Sequence, residues 1–174
     1  MKITFLGTGT SQGVPVIACE CKTCLSEDQH DKRLRTSVLI EIDGSVLLID
    51  AGPDFRQQML RENVKKLDAI ILTHEHKDHI AGMDDVRAFN YKSQDAIDIF
   101  AEERVQKAIK SEFSYVFAEY QYPGIPKMRL NAITDYGFRI KGIAIIPVRV
   151  RHLHLEIYGF RIGNFAYITD ANYI

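Results

Sequence analysis

Thr73-His74-Glu75-His76-Lys77-Asp78-His79-Ile80-Ala81-Gly82 places three histidines and an aspartate within six residues, directly after an apolar run. On a helix His74 and His76 would point about 200° apart, whereas on a loop both imidazoles can face the same ion. Asp78 and His79 are adjacent, which favours a tight turn that offers one pair of ligands to one metal and the next pair to a second. An isolated histidine is more often an ordinary surface or core residue, but this density predicts a metal site.

The string from His74 to His79 resembles the His-x-His-x-Asp-His signature of the metallo-β-lactamase superfamily. The resemblance implies an α/β fold, the four-layer αβ/βα sandwich, in which the motif follows a buried strand and contributes to a two-metal hydrolytic centre. It covers essentially the whole sequence, so residues 1–174 are expected to form a single hydrolase domain of this type.

Length and composition are those of an ordinary globular protein. The chain has 174 residues, 46% of them hydrophobic, and a formal net charge of −1, which suits one sizeable core. Because the charge is nearly balanced, the chain has no general attraction for polyanions, and nucleic acid is the less favoured partner. No secretory signal or membrane-spanning run is visible, which predicts a cytoplasmic protein without a membrane partner. A homodimer is left open.

The chain opens with a predicted buried strand, Ile3 to Leu6, followed by the glycine-rich turn Gly7-Thr8-Gly9-Thr10-Ser11-Gln12-Gly13. A dinucleotide-binding fingerprint needs its third glycine one residue earlier and a helix that begins there, whereas Pro15 follows here. We therefore reject a nucleotide site of that kind. The opening instead resembles the first strand and turn of the superfamily's nuclease and phosphodiesterase branch.

Three cysteines, Cys19, Cys21 and Cys24, lie within six residues. An odd number of crowded thiols without an export signal favours metal ligands or reduced cysteines over a disulfide framework. A tetrahedral structural zinc needs one more ligand, which His30 or a distant residue could supply. The spacing resembles, residue for residue, the zinc loop of the branch typified by the phosphoribosyl cyclic phosphate phosphodiesterase of phosphonate breakdown. In that branch the fourth ligand is a histidine near the C-terminal end.

Two apolar segments, Ser37 to Ile42 and Ser45 to Ile49, flank Asp43-Gly44, a dipeptide favoured in type I′ turns, and predict a β-hairpin. Asp50 follows the second strand, either as a helix N-cap or as a carboxylate that accepts a hydrogen bond from a metal-bound imidazole. The superfamily has an aspartate here, which favours the second role.

Helical spacing predicts further elements on either side of the histidine motif. A helix after Pro53 is expected to bury four apolar residues in the core: Phe55, Met59, Leu60 and Val64. Asp84 and Asp85 are interpreted as capping residues of a helix that begins at Met83. A strand at Ile97 to Phe100 and a helix from Glu102 to Ser111 follow. The next aromatic residues are interpreted as core or as a substrate-pocket wall: Phe113, Tyr115, Phe117, Tyr120 and Tyr122.

Near the end of the chain, a strand-like segment delivers His152 and His154. In the resembling family a histidine stands seven residues before a Gly-Phe or Gly-Tyr pair, and Gly159-Phe160 therefore selects His152 over His154. Asp170 ends a Tyr-Ile-Thr-Asp string and matches the carboxylate that bridges both metals in that family.

The resemblance implies a ligand set divided between two metals. One metal would take His74, His76 and His152, the other Asp78 and His79, with Asp170 between them. Two zinc or manganese ions would then activate a bridging hydroxide against a small cyclic or nucleotide-like phosphodiester. Asp78 could also protonate the leaving group. The superfamily normally supplies one more histidine further along, so the chain is expected to be C-terminally incomplete.

Three alternatives stay open at this level. A transfer-RNA 3′-processing endonuclease shares the motifs, although its long glycine- and basic-rich arm has no visible counterpart here. Thioester or lactam hydrolysis is compatible with the same fold. A non-catalytic metal-binding fragment is the third alternative.

Overall fold

The computed structural model describes residues 1–174. The strands are β1 (Lys2–Gly7), β2 (Ser37–Ile42), β3 (Ser45–Ile49), β4 (Ala69–Ile71), β5 (Ile97–Ala101), β6 (Met128–Ala132), β7 (Phe138–Ile140), β8 (Ile143–His152), β9 (Leu155–Ile162) and β10 (Phe165–Tyr167). The α-helices are α1 (Phe55–Arg61), α2 (Lys77–Ile80), α3 (Arg87–Ser93) and α4 (Glu103–Glu112), and short 3₁₀-helices span Gln29–Asp31, Met83–Val86 and Ser114–Val116. None of the helices is long and apolar enough to cross a membrane.

Two sheets organise the chain. The first has the order β1-β2-β3-β4-β5-β6, with antiparallel pairing from β1 to β3 and parallel pairing from β3 to β6. The predicted hairpin is confirmed, because Asp43 and Gly44 join β2 to β3 with φ of 48° and 74°, the left-handed backbone of a type I′ turn. The second sheet is antiparallel, in the order β10-β9-β8-β7.

Alternation of side chains along β2 and β3 determines what packs on each face of the first sheet. Leu39 and Leu48 face a core shared with α1, α3 and α4. Val38 and Ile49 face the opposite way, into a core shared with the second sheet. The layers are therefore helices, six-stranded sheet and four-stranded sheet, which confirms the predicted α/β sandwich. None of the four α-helices packs on the outer face of the second sheet.

Two burial predictions are wrong in part. β1 is an edge strand, so Phe5 is 57% exposed although Leu6 is buried. Leu60 lies within α1 but is 62% exposed, and α1 ends at Arg61, so Val64 lies beyond the helix. Helical spacing shows which residues share a face, but the position of the last turn depends on the tertiary contacts of that turn.

The segment after α4 and the turn before α3 also differ from expectation. Phe113 is buried, but Tyr120 and Tyr122 are exposed and are therefore not core. Asp84 lies in the first turn of a 3₁₀-helix, where it accepts a hydrogen bond from Tyr115 and pairs with Arg87 instead of capping.

Parallel pairing brings the carboxyl ends of β3, β4 and β5 to the same edge of the first sheet. Asp50 follows β3, His74 follows β4 and Glu102 follows β5. β8 in the second sheet ends at His152, whose ring lies 5.5 Å from that of His74. Polar residues from both sheets thus meet at one edge of the sandwich.

Candidate metal centre

The side chains predicted as metal ligands meet at this edge: His74, His76, Asp78, His79, His152 and Asp170. His74 and His76 lie in the loop after β4, as predicted. Asp78 and His79 belong to α2, a helix of one turn, so the predicted tight turn is helical and His79 does not lie on a loop. They still converge, because Asp78 Oδ2 lies 3.3 Å from His79 Nε2. Asp170 follows β10, with a φ of 55°.

Two glycines allow α2 to lie against the loop after β3. The Ala51 N–H donates to the His79 carbonyl at 2.7 Å, and the Gly82 N–H donates to the Ala51 carbonyl at 2.9 Å. A Cβ on Gly52 would lie 1.8 Å from the Asp78 carbonyl oxygen, and one on Gly82 would lie 2.0 Å from the Gly52 carbonyl oxygen. Glycine is therefore required at both positions for the motif to reach its place.

The first cluster consists of His74, His76 and His152, with one ring nitrogen of each within 4.8 Å of the others. His74 Nε2 and His76 Nδ1 are 3.0 Å apart. His152 Nδ1 is buried and has no hydrogen-bond partner. Such convergence of imidazole nitrogens is satisfied by a divalent transition metal, so these residues fit a metal ion.

Asp50 and Thr73 determine which ring nitrogen of His74 carries the proton and which one can bind a metal. Asp50 Oδ1 accepts hydrogen bonds from the Thr73 backbone N–H at 2.9 Å and from the Thr73 hydroxyl at 3.0 Å. Because the Thr73 hydroxyl donates its only proton to Asp50, its Oγ1 accepts a hydrogen bond from His74 Nδ1–H at 2.9 Å. His74 Nε2 is then left without a proton and points into the cluster. Burial, followed by the neighbouring His79 and His76, lowers the pKa of His74 to about 3, so it stays neutral.

The second cluster is formed around His79. His79 Nδ1–H donates to Asp50 Oδ2 at 2.8 Å, and His79 Nε2 lies 3.0 Å from Asp170 Oδ2. Burial lowers the pKa of His79, but the charge of Asp50 and hydrogen bonds to Asp170, Asp50 and Asp78 outweigh burial and raise the pKa to about 12. Three carboxylates therefore favour a positive charge at this position, which a metal ion can supply in place of the proton.

Asp170 lies between the two clusters. Its Oδ2 is 3.0 Å from His79 Nε2 and 3.6 Å from His74 Nε2. The hydrogen bond from His79 keeps the pKa of Asp170 well below its usual range despite partial burial, so the group is an anion. Geometry and charge therefore both suit this carboxylate to bind a metal ion.

Two further residues were considered for the site, Asp50 and His154, and only Asp50 contacts a candidate ligand. Asp50 is fully buried, has a φ of 64°, and takes the predicted place beside an imidazole, that of His79. A left-handed backbone in a buried aspartate is unfavourable and typical of functional sites. His154 is exposed in the turn between β8 and β9 and belongs to neither cluster.

The three cysteines also converge. One sulfur from each of Cys19, Cys21 and Cys24 lies within 4.8 Å of the others. The backbone N–H of Cys24, followed by the neighbouring thiols, lowers the pKa of Cys21 to about 7, which favours the thiolate that metals bind. His30 is not part of this cluster, because it is exposed and its Nδ1 lies 2.8 Å from Asp28 Oδ1. Proximity in sequence was therefore no guide to a fourth ligand.

Thr73 and the polar residues behind the histidine loop were missed at the sequence level. A threonine directly before the motif, at the end of a buried strand, was a usable signal for a residue that orients the first histidine. Glu102, Arg104 and Arg149 carried no such signal, because they become neighbours only when β5, α4 and β8 are assembled.

The comparison with known proteins agrees with this geometry. A family model described as the β-lactamase superfamily domain matches residues 46–174. The structure is similar to that of a diphosphatase from the PhnP family, with a TM-score of 0.86 and 43% identity, over 95% of this chain and 64% of the other.

Two curated relatives are longer proteins. An octanoyltransferase of Porphyromonas gingivalis is 44% identical over 172 residues, which are 98% of this chain and 35% of that protein. A ribonuclease Z of Prochlorococcus marinus is 27% identical over 173 residues, which are 94% of this chain and 49% of that protein. The chain thus spans only a third to a half of these two relatives. Because the family match covers most of the sequence and includes both clusters, the chain belongs to the metallo-β-lactamase superfamily, in the branch that contains the PhnP family.

Proposed function

We propose that the protein is a metal-dependent hydrolase that cleaves a small phosphodiester, cyclic or nucleotide-like. The observation that carries this proposal is the position of Asp170, an anion within 3.6 Å of His74 and 3.0 Å of His79, between two groups of ligand atoms. A shared carboxylate of this kind suits a pair of ions that act on one phosphoryl group.

The proposal keeps the division of ligands that the sequence predicts. His74, His76 and His152 would hold one ion, and Asp78 and His79 the other, with Asp170 shared. Nitrogen and carboxylate ligands suit zinc or manganese. When bound side by side, two such ions lower the pKa of a water molecule, polarise the phosphoryl group and stabilise the attacking and leaving oxygens. The cysteine cluster would hold a further, structural zinc.

Neighbouring side chains orient the candidate ligands. Asp50 orients His79 directly and His74 through Thr73, so that the Nε2 atoms of both imidazoles face the centre. The hydrogen bond from His79 is the main reason that the pKa of Asp78 is lowered, and this suits a ligand better than a proton donor. The protonation of a leaving group by Asp78 remains a prediction.

Similarity to the PhnP-family diphosphatase supports a phosphate substrate, since that relative shares 43% identity over 95% of this chain. The ribonuclease Z relative keeps a transfer-RNA endonuclease as the second candidate. A small substrate is favoured, because Arg104 and Arg149 near the centre are already paired with carboxylates and the net charge is −1. The octanoyltransferase activity is not carried over, since the match covers 35% of that protein.

The test is hydrolysis of bis(p-nitrophenyl) phosphate with added zinc or manganese, followed by competition with a cyclic nucleotide, a dinucleoside diphosphate and a transfer-RNA precursor. We expect slow, metal-dependent hydrolysis that is lost in Asp170→Asn and retained in His154→Ala, the matched control. A small phosphodiester should compete better than the precursor. Tight, salt-sensitive binding of the precursor would favour the nuclease instead.

Calorimetric titration tests the two positions separately. The first is assigned three imidazoles and the shared Asp170, whereas the second is assigned Asp78 and His79, 3.3 Å apart, with Asp170. We therefore expect one tight and one weak ion at the centre in a variant that lacks the cysteine cluster. Two equally tight ions would contradict this division, unless a neighbouring subunit supplies a ligand.

A further inference from the structure

Arg104, in the first turn of α4, joins three elements behind the histidine loop. Its Nη1 donates to Glu75 Oε1 at 2.9 Å, and its Nη2 donates to the Glu156 carbonyl of β9 at 2.7 Å. Nη2 also lies 3.4 Å from Glu102 Oε2, at the end of β5. The guanidinium therefore connects the loop after β4 to both sheets.

Glu75 is the residue between the two loop histidines, His74 and His76. Its Oε1 pairs with Arg104, and its Oε2 is buried without any hydrogen-bond partner. The pair with Arg104 is the one hydrogen bond to this carboxylate, which extends from the backbone that carries both histidines. The orientation of the loop that carries His74 and His76 therefore depends on the position of Arg104.

A second arginine, Arg149, also connects Glu102 to the histidine loop, through Tyr158. Glu102 Oε1 accepts from Arg149 Nη1 at 3.1 Å, and Arg149 Nη2 donates to the Tyr158 hydroxyl at 2.6 Å. The Arg149 guanidinium also lies 4.2 Å from the centre of the Tyr158 ring. The Tyr158 backbone N–H donates to the carbonyl of Thr73, directly before the motif, at 3.2 Å. The network therefore contacts the loop at Thr73 and at Glu75.

We propose that Arg104 is a positioning residue for the first metal position, acting through Glu75 to hold His76 and His74 in the place where His152 can complete the set. This inference rests on the proposed function, since it assumes that these imidazoles bind a metal. Groups that orient metal ligands typically change metal affinity by about 10- to 100-fold when removed. An ion pair with only a surface role would change stability slightly and leave metal affinity unaltered.

The experiment measures zinc affinity by competition with a chromophoric chelator for the parent, Arg104→Met, Glu75→Ala and the double variant. Each single change should weaken the tight centre by about 10-fold, the lower end of the range for such groups. The double variant should be no weaker than the singles, because both remove the same contact. Arg104→Lys, which retains a charge, should recover part of the loss. The visible spectrum of the cobalt-substituted centre should change in Arg104→Met and return towards the parent in Arg104→Lys.

Arg129→Met is the matched control. Arg129 makes two ion pairs, to Asp98 at 3.0 Å and Asp95 at 2.9 Å, on a part of the first sheet without candidate ligands. Its loss should leave zinc affinity within twofold of the parent. Zinc affinity of Arg104→Met within twofold of the parent, or an equal loss in Arg129→Met, would overturn the inference. If the parent itself bound no zinc at the histidines, as shown by an identical titration of His152→Ala, the proposed function would fail instead.

Discussion

The histidine centre and the cysteine loop are both candidate metal sites, but they are built in different ways. The centre takes ligands from the ends of β4, β8 and β10 and from α2, and Asp50 beneath it is fully buried. The cysteine cluster comes from six consecutive residues in a segment without helix or strand, and Cys21 is exposed. One contact from outside the cluster is a hydrogen bond from the Val16 N–H to Cys24 Sγ at 3.4 Å.

This difference indicates how each site depends on folding. A ligand set drawn from distant elements exists only after both sheets have packed, so its geometry is maintained by the core. The cysteine cluster lies within six consecutive residues, so binding of an ion can supply much of its order. Changes to the buried residue that orients the ligands, Asp50, should therefore affect stability and metal binding together, whereas changes in the cysteine loop should affect metal binding alone.

The largest effect is expected for Asp50→Asn. An amide cannot accept all the hydrogen bonds that Asp50 receives from Thr73 and His79, and its NH₂ group would face another donor. Loss of one partner of a buried charged pair costs about 3–5 kcal/mol, and loss of the orienting carboxylate should lower metal affinity about 10- to 100-fold. Urea unfolding and chelator competition measure the two effects. Unchanged stability in this variant would show that the core does not maintain the centre.

A smaller effect, confined to metal binding, is expected for His152→Ala. His152 closes the first cluster at the end of β8, and its ring is not needed for the strand pairing of β8. Zinc affinity should therefore fall strongly while the metal-free protein keeps its melting temperature within a few degrees. His154→Ala, two residues away in an exposed turn, is the control and should bind zinc like the parent. If His154→Ala were the damaging change, the assignment of ligands on β8 would be reversed.

Asp68→Asn should reduce stability without affecting either metal site. Asp68 precedes β4, at the end of that strand opposite to the histidines, and accepts from the Val46 N–H at 2.8 Å, from Lys66 and from Lys141. Losing charged hydrogen bonds of this kind costs about 1–3 kcal/mol, whereas zinc affinity should stay constant. A change in zinc affinity would mean that the centre responds to any loss of stability.

The contribution of Asp68 should also depend on pH. Burial raises its pKa, but hydrogen bonds from Lys141, the Val46 N–H and Lys66 outweigh burial and leave the pKa lowered. The unfolded chain therefore binds the proton more readily, and the stabilisation is complete above the unfolded value of about 3.9. It is lost as the pH falls through the lower folded value. The stability difference between parent and Asp68→Asn should accordingly narrow in acid, and a constant difference would contradict this assignment.

The smallest effect on the folded protein is expected for Cys21→Ser. Because Cys21 is exposed, the free energy of unfolding without metal should change by less than about 0.5 kcal/mol. Elemental analysis should nevertheless show about one zinc fewer per chain than in the parent, since three thiols cannot then converge on an ion. Equal zinc contents would show that the cysteine cluster does not bind zinc.

Local patterns were enough to predict several elements. The Asp43-Gly44 turn determines a two-residue hairpin by its own backbone preferences, and α4 places Val105 and Ile109 on its buried face as helical spacing requires. The same reasoning failed for Leu60 and Phe5, which have apolar side chains but lie where no other layer covers them. Spacing describes one element, whereas burial depends on its neighbours.

The candidate ligand types and their order were likewise predicted from the sequence alone, because His74, His76, Asp78 and His79 form a compact and specific pattern. Only the tertiary structure decided that His79 is oriented by Asp50 and that Arg104 contacts Glu75. These contacts join residues 29 positions apart in each case. Chemical identity is a property of each side chain and is read from one position, but orientation arises from packing between elements that no local pattern specifies.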